Sequence, residues 1–285
     1  MTPLPTYSRT QRAASGRRAR VRRVLALVAL LVLTAAVIGG CSLLEGGAGP
    51  TTTSISVSTT TTEAETTTTI PMATTTSRTA TTTTTLPAEG EEIVRILTED
   101  KVVALTFDAA YDPGPLPGII QVLKDQGVPA TFFLTGEFVE DFPESVRLII
   151  EGDYVIGSHS YSHPYFTKID DATIREELEK TETLLRKAGA PDPRPLFRPP
   201  YGDRNEHVLR VLAAEGYLSI FWTIDTIDWR EGRTVQEIQN AVFGKLTPGA
   251  IVLMHVGGKN TAQALPGMID ELRSRGYEFV SLAGL

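Results

Sequence analysis

The 285-residue chain is poor in the residues from which many sites are built: it has one cysteine and four histidines. A single cysteine excludes an intrachain disulfide, because no second thiol can pair with it. No Gly-rich phosphate loop follows the first apolar strand, which weakens a nucleotide-binding interpretation. The first 40 residues lack acidic side chains altogether. Few cysteine and histidine side chains are therefore available as nucleophiles or metal ligands. The first 40 residues differ in charge from the rest of the chain.

The N-terminal 40 residues have the composition of an export signal. Seven arginines precede Val24, and residues 24–38 form a charge-free apolar run. This run is short for a membrane span, which needs about 20 residues, but it fits the hydrophobic part of a secretory signal. It ends in Gly39-Gly40-Cys41, which resembles a bacterial lipobox with Cys41 as the lipidated residue. We predict a lipoprotein-type signal peptide over residues 1–40, with an uncleaved anchor helix as the alternative.

Residues 41–90 form a segment dominated by threonine, with almost no aromatic residues and no helical or strand periodicity. Such a segment cannot bury enough apolar surface to offset the entropy of ordering, so we predict a disordered stalk. Together with the signal, the stalk predicts an extracytoplasmic protein that an N-terminal lipid anchors to the cell membrane.

The charge balance of the exported part argues against nucleic acid as a partner. Removal of residues 1–40 leaves 20 basic and 34 acidic residues, a formal net charge of −14. General binding of DNA or RNA depends on neutralising phosphates with basic side chains, which this composition disfavours.

Residues 91–285 alternate short apolar segments with amphipathic stretches, the pattern of a parallel α/β domain. An open doubly wound sheet is the alternative to a barrel. The predicted strands are 102–106, 130–133, 154–156, 196–197, 218–222, 251–254 and 277–280. The predicted helices are 115–126, 143–151, 171–188, 205–215, 234–245 and 262–275.

Two of the four histidines, His159 and His163, lie four residues apart. This spacing places both side chains on one face if the segment turns helically. Two neutral imidazoles are suitable ligands for zinc or a similar divalent ion. The alternative is two unrelated histidines. A third, His207, is in a predicted helix away from the other polar clusters, and we interpret it as a solvated side chain.

Polar clusters follow five of the predicted strands directly. In a parallel α/β barrel, the carboxyl ends of the strands meet at one mouth, where side chains from distant positions converge. The pattern therefore predicts a single site. The clusters are Thr106-Phe107-Asp108, His159 to His163, Arg198 to Gly202, Asp225 to Trp229, and His255, which ends the run Leu253-Met254-His255.

These five clusters resemble, in the same order, the five sequence blocks of the polysaccharide deacetylases with a NodB-homology domain, also called carbohydrate esterase family 4. The resemblance extends from about Val102 to Leu282. It implies a distorted (β/α)7 barrel, in agreement with the independent strand count. It also implies an enzyme that removes N-acetyl groups from an amino-sugar polymer, either peptidoglycan or a chitin-like glycan.

The resemblance assigns the chemical roles in this site. His159 and His163 would hold a divalent metal, with zinc favoured over cobalt, manganese or nickel. The metal would act as a Lewis acid on the acetyl carbonyl. Asp108 would be the general base that takes a proton from the attacking water. His255 would be the general acid that protonates the departing amine.

The resemblance also assigns supporting roles. Arg198 would keep Asp108 charged and oriented, and Asp228 would do the same for His255. The backbone N–H of Tyr201 would stabilise the oxyanion. Trp229 and Leu253 would line the slot for the acetyl methyl group, although core packing is the alternative for both. Asp225 is interpreted as a turn residue.

One position departs from the family pattern. The first block usually reads Asp-Asp-Gly, with the second aspartate as third metal ligand, but this chain has Asp108-Ala109-Ala110. Alanine cannot coordinate a metal, so either Asp108, Asp112 or water completes the shell, or the metal binds weakly. Two further functions stay open: a catalytically degenerate glycan-binding domain and an O-acetyl esterase.

Overall fold

The computed structural model describes residues 92–285. The predicted signal peptide (residues 1–40), the lipidation site Cys41 and the predicted stalk over residues 41–90 lie outside the described residues. Within residues 92–285, no helix is both long and apolar enough to cross a membrane.

One sheet organises the described residues, and its neighbouring strands are all parallel. The strands are β1 Glu92–Ile93, β2 Val102–Ala109, β3 Ala130–Leu134, β4 Val155–Ser158, β5 Leu196–Phe197, β6 Leu218–Ile220, β7 Ile224–Asp225, β8 Ala250–His255 and β9 Glu278–Phe279. Their order is β1-β6-β5-β4-β3-β2-β8-β7, and β9 also pairs with β2. The sheet curls as a half-barrel with helices, which confirms the predicted α/β barrel class.

Seven α-helices of the described part connect these strands. They are α1 Leu116–Asp125, α2 Gly136–Asp141, α3 Pro143–Glu151, α4 Asp171–Lys187, α5 Glu206–Ala214, α6 Val235–Phe243 and α7 Thr261–Ser274. All seven predicted strands and six predicted helices are present, with their ends shifted by at most three residues. The sequence interpretation missed α2 and the two-residue strands β1 and β7.

Alternation along β2 separates an apolar outer face from an inner face that carries the site. The outer residues pack with α1, α7 and other helices in the larger hydrophobic core; they are Val103, Leu105, Phe107 and Ala109. The inner residues are Ala104, Thr106 and Asp108, of which Ala104 belongs to a second, smaller core. Period-two alternation therefore delivers Asp108 to the interior and Ala109 to the helix layer.

Candidate active site

The predicted base and acid are direct neighbours across two strands. The register of β2 and β8 pairs Asp108 with His255, and neighbouring strands of a sheet lie about 4.8 Å apart. Both residues line a cavity of about 580 Å³, together with His159, His163 and Asp228. The structure thus brings the predicted residues together at the carboxyl ends of the strands.

A buried ion pair fixes Asp108. Arg198 is fully buried, and its Nη1 donates a hydrogen bond to Asp108 Oδ1 at 2.8 Å and to Thr106 Oγ1 at 2.9 Å. Its Nε and Nη2 donate to the carbonyls of Ile220 and Phe221, both at 3.2 Å. Burial opposes ionisation of Asp108, but the charges of Arg198 and nearby histidines outweigh it and lower the pKa of this carboxyl. The predicted role of Arg198 therefore has a geometric basis.

The segment from His159 to His163 does not form a helix, so the helical condition stated for its spacing is not met. His159 follows β4 in a bend, and Ser160 and His163 have left-handed backbones with φ of 66° and 60°. Glu177 on α4 holds the bend, since its carboxylate accepts hydrogen bonds from the backbone N–H groups of Tyr161 and Ser162 at 2.8 and 2.7 Å. The two imidazoles converge because of this bend rather than through helical spacing.

The two histidines present donor atoms that fit a cation. His159 Nδ1 lies 2.7 Å from the Arg198 carbonyl, which only accepts, so this nitrogen carries the hydrogen and Nε2 carries a lone pair. Burial lowers the pKa of His159, which favours the neutral ring. His159 Nε2 lies 3.1 Å from His163 Nε2 and 3.5 Å from Asp108 Oδ2. Two nitrogens on one tetrahedral zinc would be about 3.3 Å apart, so the spacing suits such an ion.

The position of the expected third ligand does not face this site. Ala109 is fully buried in the helix-side core, whereas Ala110 lines the cavity. Asp112 also lines the cavity, but its Oδ1 accepts a hydrogen bond from the Gly114 N–H at 2.9 Å within an exposed turn. Among residues 92–285, no three His, Cys, Asp or Glu side chains are grouped so that they could hold a metal. Ligation by Asp112 stays a prediction.

A second carboxylate orients His255. Asp228 is buried, and its Oδ1 lies 2.7 Å from His255 Nδ1. Its Oδ2 accepts from the His255 backbone N–H at 2.8 Å and from Thr261 Oγ1 at 2.5 Å. Burial lowers the pKa of the imidazole, but the adjacent carboxylate outweighs this effect and raises the pKa of His255 above its ordinary value. The ring is therefore suited to carry a proton near neutral pH.

The predicted substrate-binding residues line the same cavity. Tyr201 and half-buried Trp229 are on its wall, and Leu253 is buried at its floor on the inner face of β8. Tyr201 has a left-handed backbone with φ of 59°, and its ring packs edge-on against His163 at 4.4 Å between centroids. Gly202 follows with φ of 64°, and a Cβ there would lie 2.6 Å from the Phe221 ring. The turn that contains Tyr201 and Gly202 therefore packs closely against the rings of Phe221 and Trp222.

Strand β1 contacts the same turn through Arg204. Glu92 in β1 accepts hydrogen bonds from Arg204 Nε at 2.6 Å and from Nη2 at 2.7 Å. Arg204 Nη1 donates to the Gly202 carbonyl at 3.0 Å, and its guanidinium lies 3.6 Å from the Phe221 ring centroid. The turn that carries Tyr201 is therefore held from the far edge of the sheet.

Three supporting residues were missed by the sequence interpretation. The hydroxyl of Tyr111 lies 3.1 Å from His163 Nδ1, Glu177 anchors the histidine bend, and Thr261 donates to Asp228. Only Tyr111 had a local signal, since it follows the first block directly. Asp225, interpreted as a turn residue, is the last residue of β7 and lines the cavity, and its Oδ1 accepts from the Ile227 N–H of the following turn at 2.8 Å. His207 is exposed, as interpreted, and pairs with Asp171.

Comparison with known proteins gives concordant matches. Residues 96–220 match the family model described as polysaccharide deacetylase. The chain is 37% identical over 187 residues to the peptidoglycan-N-acetylglucosamine deacetylase of Bacillus cereus, covering 64% of this chain and 67% of that protein. It is 33% identical over 190 residues to the peptidoglycan-N-acetylmuramic acid deacetylase PdaA of Bacillus subtilis, covering 66% and 72%.

The fold is also similar to that of a protein described as inactive. A wild-type CE4 family pseudoenzyme from Bacillus anthracis matches with a TM-score of 0.66 and 33% identity, over 70% of this chain and 69% of that chain. Fold similarity therefore does not by itself decide catalysis, which depends on the residues of the cavity.

Proposed function

This chain belongs to the polysaccharide deacetylase family, and we propose that it hydrolyses the N-acetyl groups of amino sugars in peptidoglycan. The names of its relatives support the substrate class. The observation that carries the proposal is the register pair of Asp108 and His255, each with its own buried orienting partner. A carboxylate with a lowered pKa and an imidazole with a raised pKa are suited to act as general base and general acid in amide hydrolysis.

The two residues divide the proton transfers. As water attacks the acetyl carbon, Asp108 takes the proton that the water releases, and a tetrahedral oxyanion forms. When the carbon–nitrogen bond breaks, His255 donates its proton to the sugar nitrogen. The products are acetate and a free amine. Arg198 keeps Asp108 as the carboxylate, and Asp228 keeps His255 in the orientation that presents Nε2 to the cavity.

His159 and His163 would hold a divalent metal, with zinc favoured and cobalt, manganese or nickel as alternatives. When bound, this ion would supply a Lewis acid for the acetyl carbonyl. The Arg198 carbonyl fixes the ring of His159, and the Tyr111 hydroxyl fixes that of His163, as outer partners of metal-binding histidines commonly do.

Acetate release tests the proposal directly. The full-length protein is incubated with each metal in turn and with peptidoglycan glycan strands, chitin oligomers or acetylated xylan. We expect acetate from the glycan strands. Release from xylan alone would favour O-acetyl ester hydrolysis instead, and no release from any substrate with any metal would refute the enzymatic function.

Loss of one histidine should weaken metal binding. Replacement His163→Ala removes one of two converging nitrogens, so we expect the affinity for zinc to fall by at least tenfold. Isothermal titration calorimetry of the apoprotein measures this change. The variant His207→Ala, at an exposed histidine outside the cavity, should bind zinc as the wild type does. Equal affinities for all three proteins would contradict the assignment.

The charge of Asp228 should set the alkaline limit of activity. Since His255 acts in its protonated form and its pKa is raised, activity persists above the ordinary pKa of histidine and is lost as the pH rises through the raised value. Asp228→Asn removes the charge, so the alkaline limb of the kcat profile should move to lower pH. An unmoved limb would exclude His255 as the titrating acid.

Glycan binding without turnover is the second candidate, because Ala109 replaces a usual ligand and a structural neighbour is a pseudoenzyme. The two candidates differ in one measurement. A binding domain would retain glycans with measurable affinity but release no acetate with any metal.

We also propose that the protein is exported and anchored by a lipid on Cys41. The arginine-rich start, the apolar run and the Gly39-Gly40-Cys41 end support this proposal. In a bacterial host, Cys41→Ser should abolish incorporation of labelled fatty acid and release the protein from the membrane fraction. Absence of label from the wild type, with both proteins retained in the membrane, would indicate an uncleaved anchor helix.

A further inference from the structure

Two loops beside His255 build one wall of the cavity. They follow β7 and β8, and their cavity-lining residues lie within 228–233 and 257–260. Asn260 Nδ2 donates to the Arg233 carbonyl at 2.7 Å and ties the loops together. Gly258 approaches Asp228 so closely that a Cβ there would lie 2.7 Å from its Oδ2. This wall is fixed by contacts that do not involve its outermost side chains.

The wall carries three cationic side chains, Arg230, Arg233 and Lys259, which differ in the hydrogen bonds and ion pairs that they form. Arg233 is bound to the fold, since Nε donates to the Thr226 carbonyl at 3.1 Å and Nη2 to the Glu237 carbonyl at 3.3 Å. Lys259 and Glu231 form a loose, highly exposed pair at 3.5 Å. Exposed Arg230 lines the cavity, and its guanidinium has no hydrogen bond or ion pair with another residue in the range 92–285.

Arg230 places a positive charge at the cavity of a domain whose net charge is negative. Residues 92–285 contain 19 basic and 29 acidic side chains, a formal net charge of −10. Such a domain repels anions in general, so it can accept an anionic substrate only where cations are concentrated locally. Five carboxylates and three cations line the catalytic cavity, and two of those cations, Arg230 and Lys259, form a local cationic patch on the wall beside His255. A neutral sugar would gain little from it.

We propose that Arg230, assisted by Lys259, binds a carboxylate that the substrate sugar carries beside its acetamido group. N-acetylmuramic acid has this feature, because its lactyl ether is on the carbon next to the one that bears the amide. A guanidinium can donate two parallel hydrogen bonds to such a carboxylate. The inference rests on the proposed deacetylase function and narrows its substrate to the muramic sugar.

Peptide-free glycan strands test this specificity. The full-length protein is given strands with the lactyl carboxylate free, or the same strands after methyl esterification, and kcat/KM for acetate release is measured. The wild type should prefer the free carboxylate by roughly tenfold, as expected for a hydrogen-bonded charged group. Arg230→Ala should lose this preference, so that its kcat/KM is the same on free and on esterified strands. Arg210→Ala, at an exposed arginine on α5, is the matched control and should behave as the wild type.

The outcomes separate this inference from the function on which it rests. Equal rates on both strands, or a preference that survives in Arg230→Ala, would overturn the role of Arg230 while the deacetylase function stands. Mass spectrometry should locate the new amine on the muramic sugar, and an amine found on glucosamine alone would also overturn it. If no substrate yields acetate, calorimetric binding of the same strands decides: a preference for the free carboxylate that Arg230→Ala removes supports the inference, and equal affinities refute it.

Discussion

Replacement Asp108→Asn should lower the rate of acetate release by about 10²- to 10⁴-fold, the usual contribution of a positioned general base. The amide oxygen of asparagine can still accept the hydrogen bond from Arg198, so the side chain stays in place, but it cannot take a proton from water. Initial rates with saturating zinc and glycan strands measure the loss. Unchanged activity would exclude Asp108 as the base.

Two further variants make this result specific. Asp108→Ala leaves the buried Arg198 charge without its partner, which should destabilise the fold by about 3–5 kcal/mol in addition to the loss of activity. Thermal melting should therefore distinguish the alanine from the asparagine variant. Asp125→Asn, at the exposed end of α1, is the matched control for loss of one carboxylate and should keep full activity.

Replacement His255→Gln should lower the turnover of an N-acetyl sugar by about 10²- to 10⁴-fold, because the amine then leaves without a proton donor. The effect should depend on the leaving group. With 4-nitrophenyl acetate the phenolate departs without protonation, so the deficit of the variant should be much smaller. His207→Gln should match the wild type on both substrates. Equal deficits on both would assign His255 a structural role rather than that of an acid.

The long apolar runs of the sequence predicted the central strands of the sheet. Strands β2 and β8, with eight and six mostly buried residues, carry strong apolar runs. Strands β1 and β7 have two residues each, as do the predicted strands β5 and β9, so their length alone does not explain why they were missed. Their pairing depends on neighbours that are distant in sequence. Such strands are stabilised by tertiary contacts rather than by local preference.

The site was predictable by position but not by local geometry. Clusters after strands pointed to one cavity, and the structure brings them together. The route by which His163 reaches His159 was not predictable, because left-handed backbones at non-glycine residues depend on partners such as Glu177, which follows 14 residues later. Side chains alternate between the two faces of β2, which explains why Ala109 faces the helices. The residue types alone indicate only that the usual third metal ligand is missing.

The contact between Glu92 and Arg204 shows that residues before the recognisable motifs support the site. The stretch that resembles the family starts near Val102, and a truncation at that point would keep every residue assigned to chemistry. It would also remove the edge strand that pairs with β6 and leave Arg204 without its carboxylate. We therefore expect the functional domain to be longer than its recognisable motifs and to include Glu92, which is far in sequence from the turn that it holds.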